Sequence, residues 1–123
     1  MSKSVLIIDD SLYMRTLISN ALTEEGYEVV GMAADGETAI EMALELQPDV
    51  ITLDNVLPDM IGLDILKILK EEEINSTIIM VSAVGQQSVV DEGMSLGASD
   101  YIVKPFTPDG LVEKVNKACN NNQ

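Results

Sequence analysis

Histidine and tryptophan are absent from this 123-residue sequence, and cysteine occurs once. Without histidine the chain has no histidine metal ligand, no histidine general base and no Ser-His-Asp triad. The lone Cys119 excludes an internal disulfide. Because no histidine can activate its thiol, we interpret it as a packing residue on a helix. A single cysteine also fits a reducing compartment, so we expect a cytoplasmic protein.

Long apolar runs and positive charge are scarce as well. No run approaches the roughly 20 residues that a transmembrane helix requires, and residues 1–3 lead into a predicted strand without a signal-peptide pattern. Seven basic residues stand against 21 acidic ones, so the formal net charge is −14. That charge disfavours binding to nucleic acid and to anionic membranes. Most of the carboxylates fit solvated helix faces.

Short apolar runs alternate with segments of helical periodicity throughout the chain. Hydrophobic residues make up 46% of the sequence, which is enough for one globular domain spanning residues 1–123. The predicted strands lie near residues 4–9, 28–33, 50–54, 77–82 and 100–103. Four of them are continuously apolar, as strands buried on both faces should be, whereas residues 28–33 indicate an edge strand.

Helical segments follow each predicted strand. Ser11, Asp35 and Thr107 are the predicted N-caps of the first, second and last helices. The fourth helix, near residues 86–96, has low intrinsic helicity because it contains glycine and valines. Residues 120–123 are predicted to form a polar tail or the start of a linker. Strict alternation of strands and helices predicts a doubly wound α/β fold, with a parallel sheet and helices on both faces.

Charged and hydroxyl side chains stand at the ends of four of these strands. They are Asp9 and Asp10 after the first strand, Asp54 at the end of the third, Ser82 at the end of the fourth, and Lys104 with Pro105 after the fifth. Each alone has an ordinary explanation as a turn residue or a solvated charge. Because the carboxyl ends of parallel strands meet at one edge of the sheet, we expect them to share a crevice.

Three carboxylates in one crevice raise one another's pKa values, because like charges repel. A bound cation would offset this repulsion. Mg²⁺ prefers oxygen ligands, keeps several waters and takes only one or two carboxylates directly. We predict Asp10 and Asp54 as direct ligands and Asp9 as a ligand through water. The backbone carbonyl of Val56 would complete the set.

A carboxylate oxygen of Asp54 that the metal does not use can attack a phosphoryl group and form an acyl phosphate. Phosphoryl transfer depends mainly on positioning and on neutralising the equatorial oxygens. Mg²⁺ would take one of these oxygens, the Lys104 ammonium a second and the Ser82 hydroxyl a third. The sequence therefore predicts a phosphoacceptor site.

With these motifs the chain resembles the receiver domains of two-component response regulators, above all the stand-alone chemotaxis regulators of the CheY type. The motifs are Asp9-Asp10-Ser11 followed by Met14-Arg15, Asp54 followed by Leu57-Pro58, Met60 and Gly62, Ser82-Ala83, and Tyr101 with Lys104-Pro105-Phe106. The resemblance implies a flavodoxin-like (βα)5 fold with strand order 2-1-3-4-5. Family members often have threonine in place of Ser82 and methionine in place of Leu57.

The resemblance also implies roles for individual residues and for partners. The implied roles are phosphoacceptor (Asp54), magnesium ligands (Asp9 and Asp10), phosphoryl contacts (Ser82 and Lys104), switch aromatic (Tyr101) and cis-proline (Pro105). A histidine kinase of the CheA type would supply the phosphoryl group. The protein would be a monomeric signalling protein rather than an enzyme.

Phosphorylation is predicted to remodel the face formed by the fourth helix, last strand and last helix. Ser82 would move toward the phosphoryl group with residues 83–85, and Tyr101 would rotate inward. The fourth helix begins with Gln86-Gln87-Ser88 and continues to Asp91-Glu92. This acidity favours a partner with a basic docking surface. By resemblance, a motility switch or adaptor protein, as in an archaeal motility system, would fit.

Four other functions compete with this interpretation. A magnesium-dependent phosphatase with an aspartyl phosphate would usually carry Asp-x-Asp after the first strand and a cap domain, and this chain has neither feature. A flavodoxin-type electron carrier is disfavoured because Asp9 and Asp10 would repel flavin phosphate. A phosphorelay shuttle stays open, as does a receiver cut from a larger regulator.

Overall fold

Strands and helices alternate in the computed structural model, which describes residues 2–83 and 85–121. The strands are β1 (Ser4–Ile8), β2 (Glu28–Ala33), β3 (Val50–Asp54), β4 (Thr77–Ala83) and β5 (Asp100–Lys104). The helices are α1 (Leu12–Glu24), α2 (Gly36–Leu46), α3 (Gly62–Glu71), α4 (Gln87–Ser95) and α5 (Pro108–Asn121). Each predicted strand is present, and its bounds differ from the prediction by at most one residue.

All four strand pairings are parallel, and the order across the sheet is β2-β1-β3-β4-β5. This order confirms the doubly wound, flavodoxin-like fold and places β2 at an edge, as its weaker apolar pattern predicts. Between Val5 and Leu6 the register with β2 shifts by a β-bulge. The carboxyl ends of β1, β3, β4 and β5 therefore lie side by side along one edge of the sheet.

The sheet separates two apolar cores. One core lies on the side of α1 and α5, where Ile18, Leu22 and Leu111 pack against β-strand side chains. The other lies on the side of α2 and α3 and includes Ala39 and Leu66. Burying a leucine or isoleucine side chain contributes about 1.5–3 kcal/mol, so these two layers hold the strand ends in place. Cys119 is buried in the first core, in agreement with its interpretation as a packing residue.

The three predicted N-caps are confirmed. The cap bonds run from the Met14 N–H to Ser11 Oγ at 3.2 Å, from the Thr38 N–H to Asp35 Oδ1 at 2.8 Å, and from the Gly110 N–H to Thr107 Oγ1 at 3.0 Å. Each satisfies a first-turn donor that the helix itself leaves unpaired. By contrast, within the described residues α4 has no side-chain cap bond at its N-terminus, which agrees with its weak helical sequence.

One boundary prediction was wrong. α5 continues through Asn120 and Asn121, so the predicted polar tail begins inside this helix. Asn122 and Gln123 lie outside the described residues, and so does Val84, which belongs to the segment predicted to move with Ser82. In the described part of the chain, no helix combines the length and apolar character needed to cross a membrane.

Candidate functional site

The end of β1 places one buried and one exposed carboxylate. Asp9 is fully buried, and its Oδ1 accepts a hydrogen bond from the Ser11 N–H at 2.9 Å. Its backbone carbonyl accepts a hydrogen bond from the Arg15 guanidinium at 2.7 Å. Asp10, the next residue, is exposed. Because the Asp9 carboxylate is already engaged, this geometry suits the predicted division between a water-mediated ligand and a direct one.

The end of β3 holds Asp54 at 7% exposure. The chain turns directly after it, and the Gly62 N–H donates to the Asn55 carbonyl at 2.7 Å. A Cβ on Gly62 would lie 2.6 Å from the Asp54 carbonyl oxygen, so glycine is required for this close approach. The Asn55 side chain accepts a hydrogen bond from the Leu63 N–H at 3.3 Å, which caps α3. The turn thus fixes the backbone on which Asp54 stands.

The ends of β4 and β5 supply the hydroxyl and the ammonium. The Lys104 Nζ lies 3.2 Å from Asp9 Oδ2 and 3.6 Å from Asp54 Oδ1, between the two carboxylates. The Ser82 side chain is buried, and its Oγ has no hydrogen-bond partner within the described residues. The Lys104–Pro105 peptide bond is cis. Asp9, Asp10, Asp54 and Lys104 therefore share one crevice, and Ser82 stands at the end of the neighbouring strand β4.

Burial and neighbouring charge make ionised Asp54 costly. Its pKa is raised above the ordinary value, first by burial and then by the negative charge of Asp9, with a smaller contribution from Asp10. The Lys104 ammonium and a hydrogen bond from the Val56 backbone lower the pKa but do not cancel the rise. A carboxylate in this state gains from any added positive charge.

The donor set fits a magnesium ion. Asp9, Asp10 and Asp54 each offer a carboxylate oxygen, and these oxygens lie within 4.8 Å of one another. Oxygen ligands at about 2.1 Å in an octahedron are separated by about 3–4 Å, so a small shift or one bridging water accommodates the ion. The unpaired Ser82 hydroxyl adds a donor for an anionic group beside it. The cluster is therefore compatible with Mg²⁺.

Tyr101, the predicted switch aromatic, is half-buried on β5 at the edge of the core that α2 and α3 cover. The Lys114 Nζ lies 5.0 Å from the centre of its ring, and the same ammonium pairs with Asp100 at 3.5 Å. A cation over an aromatic face is attractive. Tyr101 pairs in the sheet with Met80, two residues before Ser82. The tyrosine is therefore close in the sheet to the crevice without belonging to it.

Sequence reasoning missed three side chains that organise this edge. The sequence motifs include Arg15 without giving it a role, and they include neither Asn55 nor Asp59. Arg15 holds the carbonyl of Asp9, Asn55 caps α3, and the Asp59 carboxylate accepts hydrogen bonds from the backbone of α2. Asn55 follows a predicted strand directly, which marks it as a candidate, but nothing local points to Asp59.

Comparison with known proteins gives the class that this fold and site define. The family model described as the response regulator receiver domain matches residues 5–116. The chain is 45% identical over 117 residues to the chemotaxis protein CheY of Thermotoga maritima, covering 95% of this chain and 98% of that protein. It is 42% identical over 120 residues to CheY of Bacillus subtilis, covering 98% and 100% respectively. The chain belongs to the response regulator receiver domain family.

Within this family it is a receiver domain of the CheY type, consistent with a response regulator in chemotaxis. A solved CheX–CheY–BeF₃–Mg²⁺ complex from Borrelia burgdorferi matches it with a TM-score of 0.89 and 32% identity, covering 94% of this chain and 87% of that chain. These findings confirm the resemblance and the fold predicted from the sequence motifs. The roles assigned to individual site residues stay predictions.

Proposed function

We propose that this protein is a phosphorylation-activated response regulator that accepts a phosphoryl group on Asp54 in the presence of Mg²⁺. One observation carries the proposal. Asp54 lies in a carboxylate cluster that fits a divalent cation, 3.6 Å from the Lys104 ammonium, beside a Ser82 hydroxyl without a partner among the described residues. A CheY relative has been seen in complex with BeF₃, Mg²⁺ and CheX, which supports the same ligands here.

The chemistry follows from the placement of these groups. A carboxylate oxygen of Asp54 attacks the phosphorus of a phosphohistidine. A P–O bond forms as the P–N bond breaks, and the departing imidazole takes up a proton. Lys104 would neutralise one equatorial oxygen, and Ser82 would donate its hydrogen bond to another. When bound, Mg²⁺ would supply the remaining positive charge.

Asp54 is consumed in this reaction rather than regenerated at once, so we propose that the protein acts as a signalling protein and not as an enzyme. The donor would be a histidine kinase of the CheA type. Since charge favours neither nucleic acid nor anionic membranes, a monomer in the cytoplasm with protein partners fits best. A phosphorelay shuttle is the second candidate, and transfer of the phosphoryl group to a histidine protein would favour it.

The output of the proposed switch is the face formed by α4, β5 and α5. Phosphorylation adds about −1.5 to −2 charges at Asp54, which draws Ser82 toward the new oxygens and opens space for Tyr101 to turn inward. α4 is suited to such a change because no described side chain caps its N-terminus. The equilibrium would shift between two packings of one fold.

The partner for this face would be a motility switch or adaptor protein, as in an archaeal motility system. Asp91 and Glu92 are both exposed on α4, so the surface that meets α4 should be basic. α5 contributes Lys114 and Lys117, which line one cleft together with Ile102 of β5. A partner is therefore expected to present basic groups to α4 and acidic or neutral groups to α5.

Intact-mass measurement with acetyl phosphate tests the proposal. With Mg²⁺ the wild type should gain the mass of one phosphoryl group, and the gain should disappear in Asp54→Asn or when the metal is chelated. Asp49→Asn, at the opposite edge of the sheet, is the matched control and should be phosphorylated like the wild type. A gain that persists in Asp54→Asn, or no gain in the wild type, would refute the assignment.

A further inference from the structure

Two aspartates accept hydrogen bonds from the first N–H groups of α2. Asp35 directly precedes the helix, whereas Asp59 lies on a distant loop. The first N–H groups of a helix have no partner within it. Asp35 takes the Thr38 N–H at 2.8 Å. Asp59, on the loop between β3 and α3, takes the Gly36 N–H at 2.7 Å through Oδ1 and the Glu37 N–H at 3.0 Å through Oδ2. The start of α2 is therefore tied to a loop 22 or 23 residues further along the chain.

The contact between this loop and α2 is close as well as polar. A Cβ on Gly36 would lie 2.2 Å from the Met60 Cγ and 2.5 Å from its Sδ, so the Met60 side chain occupies the space that a side chain would need. The two N–H groups hold the pKa of Asp59 below its usual value, so the carboxylate is ionised at neutral pH and suits the positive end of the helix. Two neighbouring residues thus dock the tip of the loop onto α2.

The same loop contains Val56, whose backbone carbonyl is the predicted magnesium ligand. Val56 and Ile61 form an isolated antiparallel bridge, and the Leu57 N–H donates to the Met60 carbonyl at 3.3 Å. These bonds make residues 55–61 a narrow turn with Asp59 at its tip. Because the turn is internally bonded, a displacement of its tip is passed to Val56, only two residues after Asp54.

We propose that Asp59 is a positioning residue for the metal site. By anchoring the tip of the 55–61 turn to the first residues of α2, it holds the Val56 carbonyl in place for the cation. Metal binding then depends on the bonds from α2 to Asp59 and not on the local cap Asp35, which makes no hydrogen bond to the 55–61 turn among the described residues. The inference rests on the proposed function, since it takes Mg²⁺ as the ion and Val56 as one of its ligands.

The test compares two caps of the same helix, with Mg²⁺ alone as the probe. Asp59→Ala should weaken Mg²⁺ binding, measured by titration calorimetry, by about 10-fold, the lower end of the effect of removing a group that orients a metal ligand. Asp35→Ala removes the local cap but leaves the 55–61 turn untouched, so its Mg²⁺ affinity should match that of the wild type. Asp59→Asn keeps one acceptor oxygen and should give an intermediate affinity.

Amide hydrogen exchange of the metal-free protein gives a second readout. Asp59→Ala should speed exchange both at residues 36–38 and at residues 55–57, whereas Asp35→Ala should do so at 36–38 alone. Equal affinity losses in the two alanine variants, or none in Asp59→Ala, would overturn the positioning role while leaving the proposed function intact. A wild type that binds no Mg²⁺ would overturn both.

Discussion

The polar groups at the amino ends of the strands differ from those at the carboxyl ends in how fully they are hydrogen-bonded. We call these two ends of the sheet its amino-terminal and carboxyl-terminal edges. At the amino-terminal edge, the Ser4 N–H and hydroxyl donate to the Asp49 carboxylate at 2.8 and 3.2 Å, and the Asp49 N–H donates to Ser4 Oγ at 2.9 Å. The Ser76 hydroxyl donates to the Pro48 carbonyl, and the Thr77 N–H donates to the Asp49 carbonyl at 2.8 Å. The polar groups at this edge therefore satisfy one another's hydrogen bonds.

At the carboxyl-terminal edge two buried polar groups, Asp54 and Ser82, are not fully compensated by their neighbours among the described residues. Asp54 has a raised pKa because burial and Asp9 oppose its charge, and the buried Ser82 hydroxyl has no partner among the described residues. Buried polar groups in this condition cost free energy unless a ligand satisfies them. The contrast indicates that the polar groups of the amino-terminal edge stabilise the fold, whereas those of the carboxyl-terminal edge reduce its stability and are available to bind a ligand.

The largest expected effect comes from removing the Lys104 ammonium, which lies between the Asp9 and Asp54 carboxylates. Lys104→Met should slow phosphorylation by acetyl phosphate about 100-fold, as the loss of a preorganised charge does in other sites. With no metal present it should also lower the free energy of unfolding by about 1–2 kcal/mol, because Asp9 and Asp54 lose their counter-charge and the Lys104 side chain is partly exposed. Intact-mass kinetics and urea denaturation measure the two quantities.

Asp49→Ala is the control from the other edge. It should cost about 1 kcal/mol of unfolding free energy, since the Ser4 donors lose their acceptor, and should leave the phosphorylation rate unchanged. If Asp49→Ala slowed phosphorylation as much as Lys104→Met does, the two edges would not be functionally separate.

A smaller effect, of opposite sign, is expected for the unpaired hydroxyl. Ser82→Ala should raise the free energy of unfolding by up to about 1 kcal/mol, because it removes a buried polar atom that has no partner among the residues the structure describes. The same variant should reach a lower phosphorylated fraction, because one contact to the phosphoryl group is lost. Urea denaturation together with intact mass would show stability and function moving in opposite directions.

Thr52→Val provides the matched comparison. Thr52 lies on β3, fully buried, and its hydroxyl also lacks a partner within the described residues. Its removal should give a similar gain in stability without changing phosphorylation. A loss of stability in both variants would mean that unseen partners, such as buried water, satisfy these hydroxyls.

The smallest expected effect is a pH-dependent difference in stability between Asp54→Asn and the wild type, measured without metal. Since the pKa of Asp54 is raised in the folded state, its ionisation costs stability above the folded pKa and costs nothing below its ordinary value of about 4. The variant should therefore be more stable than the wild type at neutral pH, and its advantage should shrink as the pH falls toward 4. An advantage that grew with acidity would contradict the assigned sign.

Local patterns were enough to predict much of this molecule. The strand ends were readable because buried parallel strands are continuous apolar runs. The caps Ser11, Asp35 and Thr107 were readable because each acts on an N–H three residues away. The gathering of Asp9, Asp54 and the other strand-end residues followed from the rule that parallel strands share a carboxyl edge. The order of the strands came from family resemblance, since alternation alone does not specify neighbours.

Other features could not be predicted because they depend on contacts between distant segments. Asp59 meets α2 only after the β2–α2 and β3–α3 connections have been brought together by the sheet. The lack of a partner for Ser82 is a property of its whole surroundings, not of its neighbours in sequence. The continuation of α5 through Asn120 was missed because asparagine is a poor helix former and tertiary packing outweighs that preference.

The strand order has a consequence for the growing chain. β1 has two neighbours, and its register with β3 joins Val5 to Val50, so the centre of the sheet closes only after a long stretch has been synthesised. Asp9 and Asp54 can meet at that stage, whereas Lys104 arrives with the last strand to be made. A nascent chain that stalls before β5 would hold Asp9 and Asp54 side by side without the Lys104 ammonium that lies between them in the finished fold.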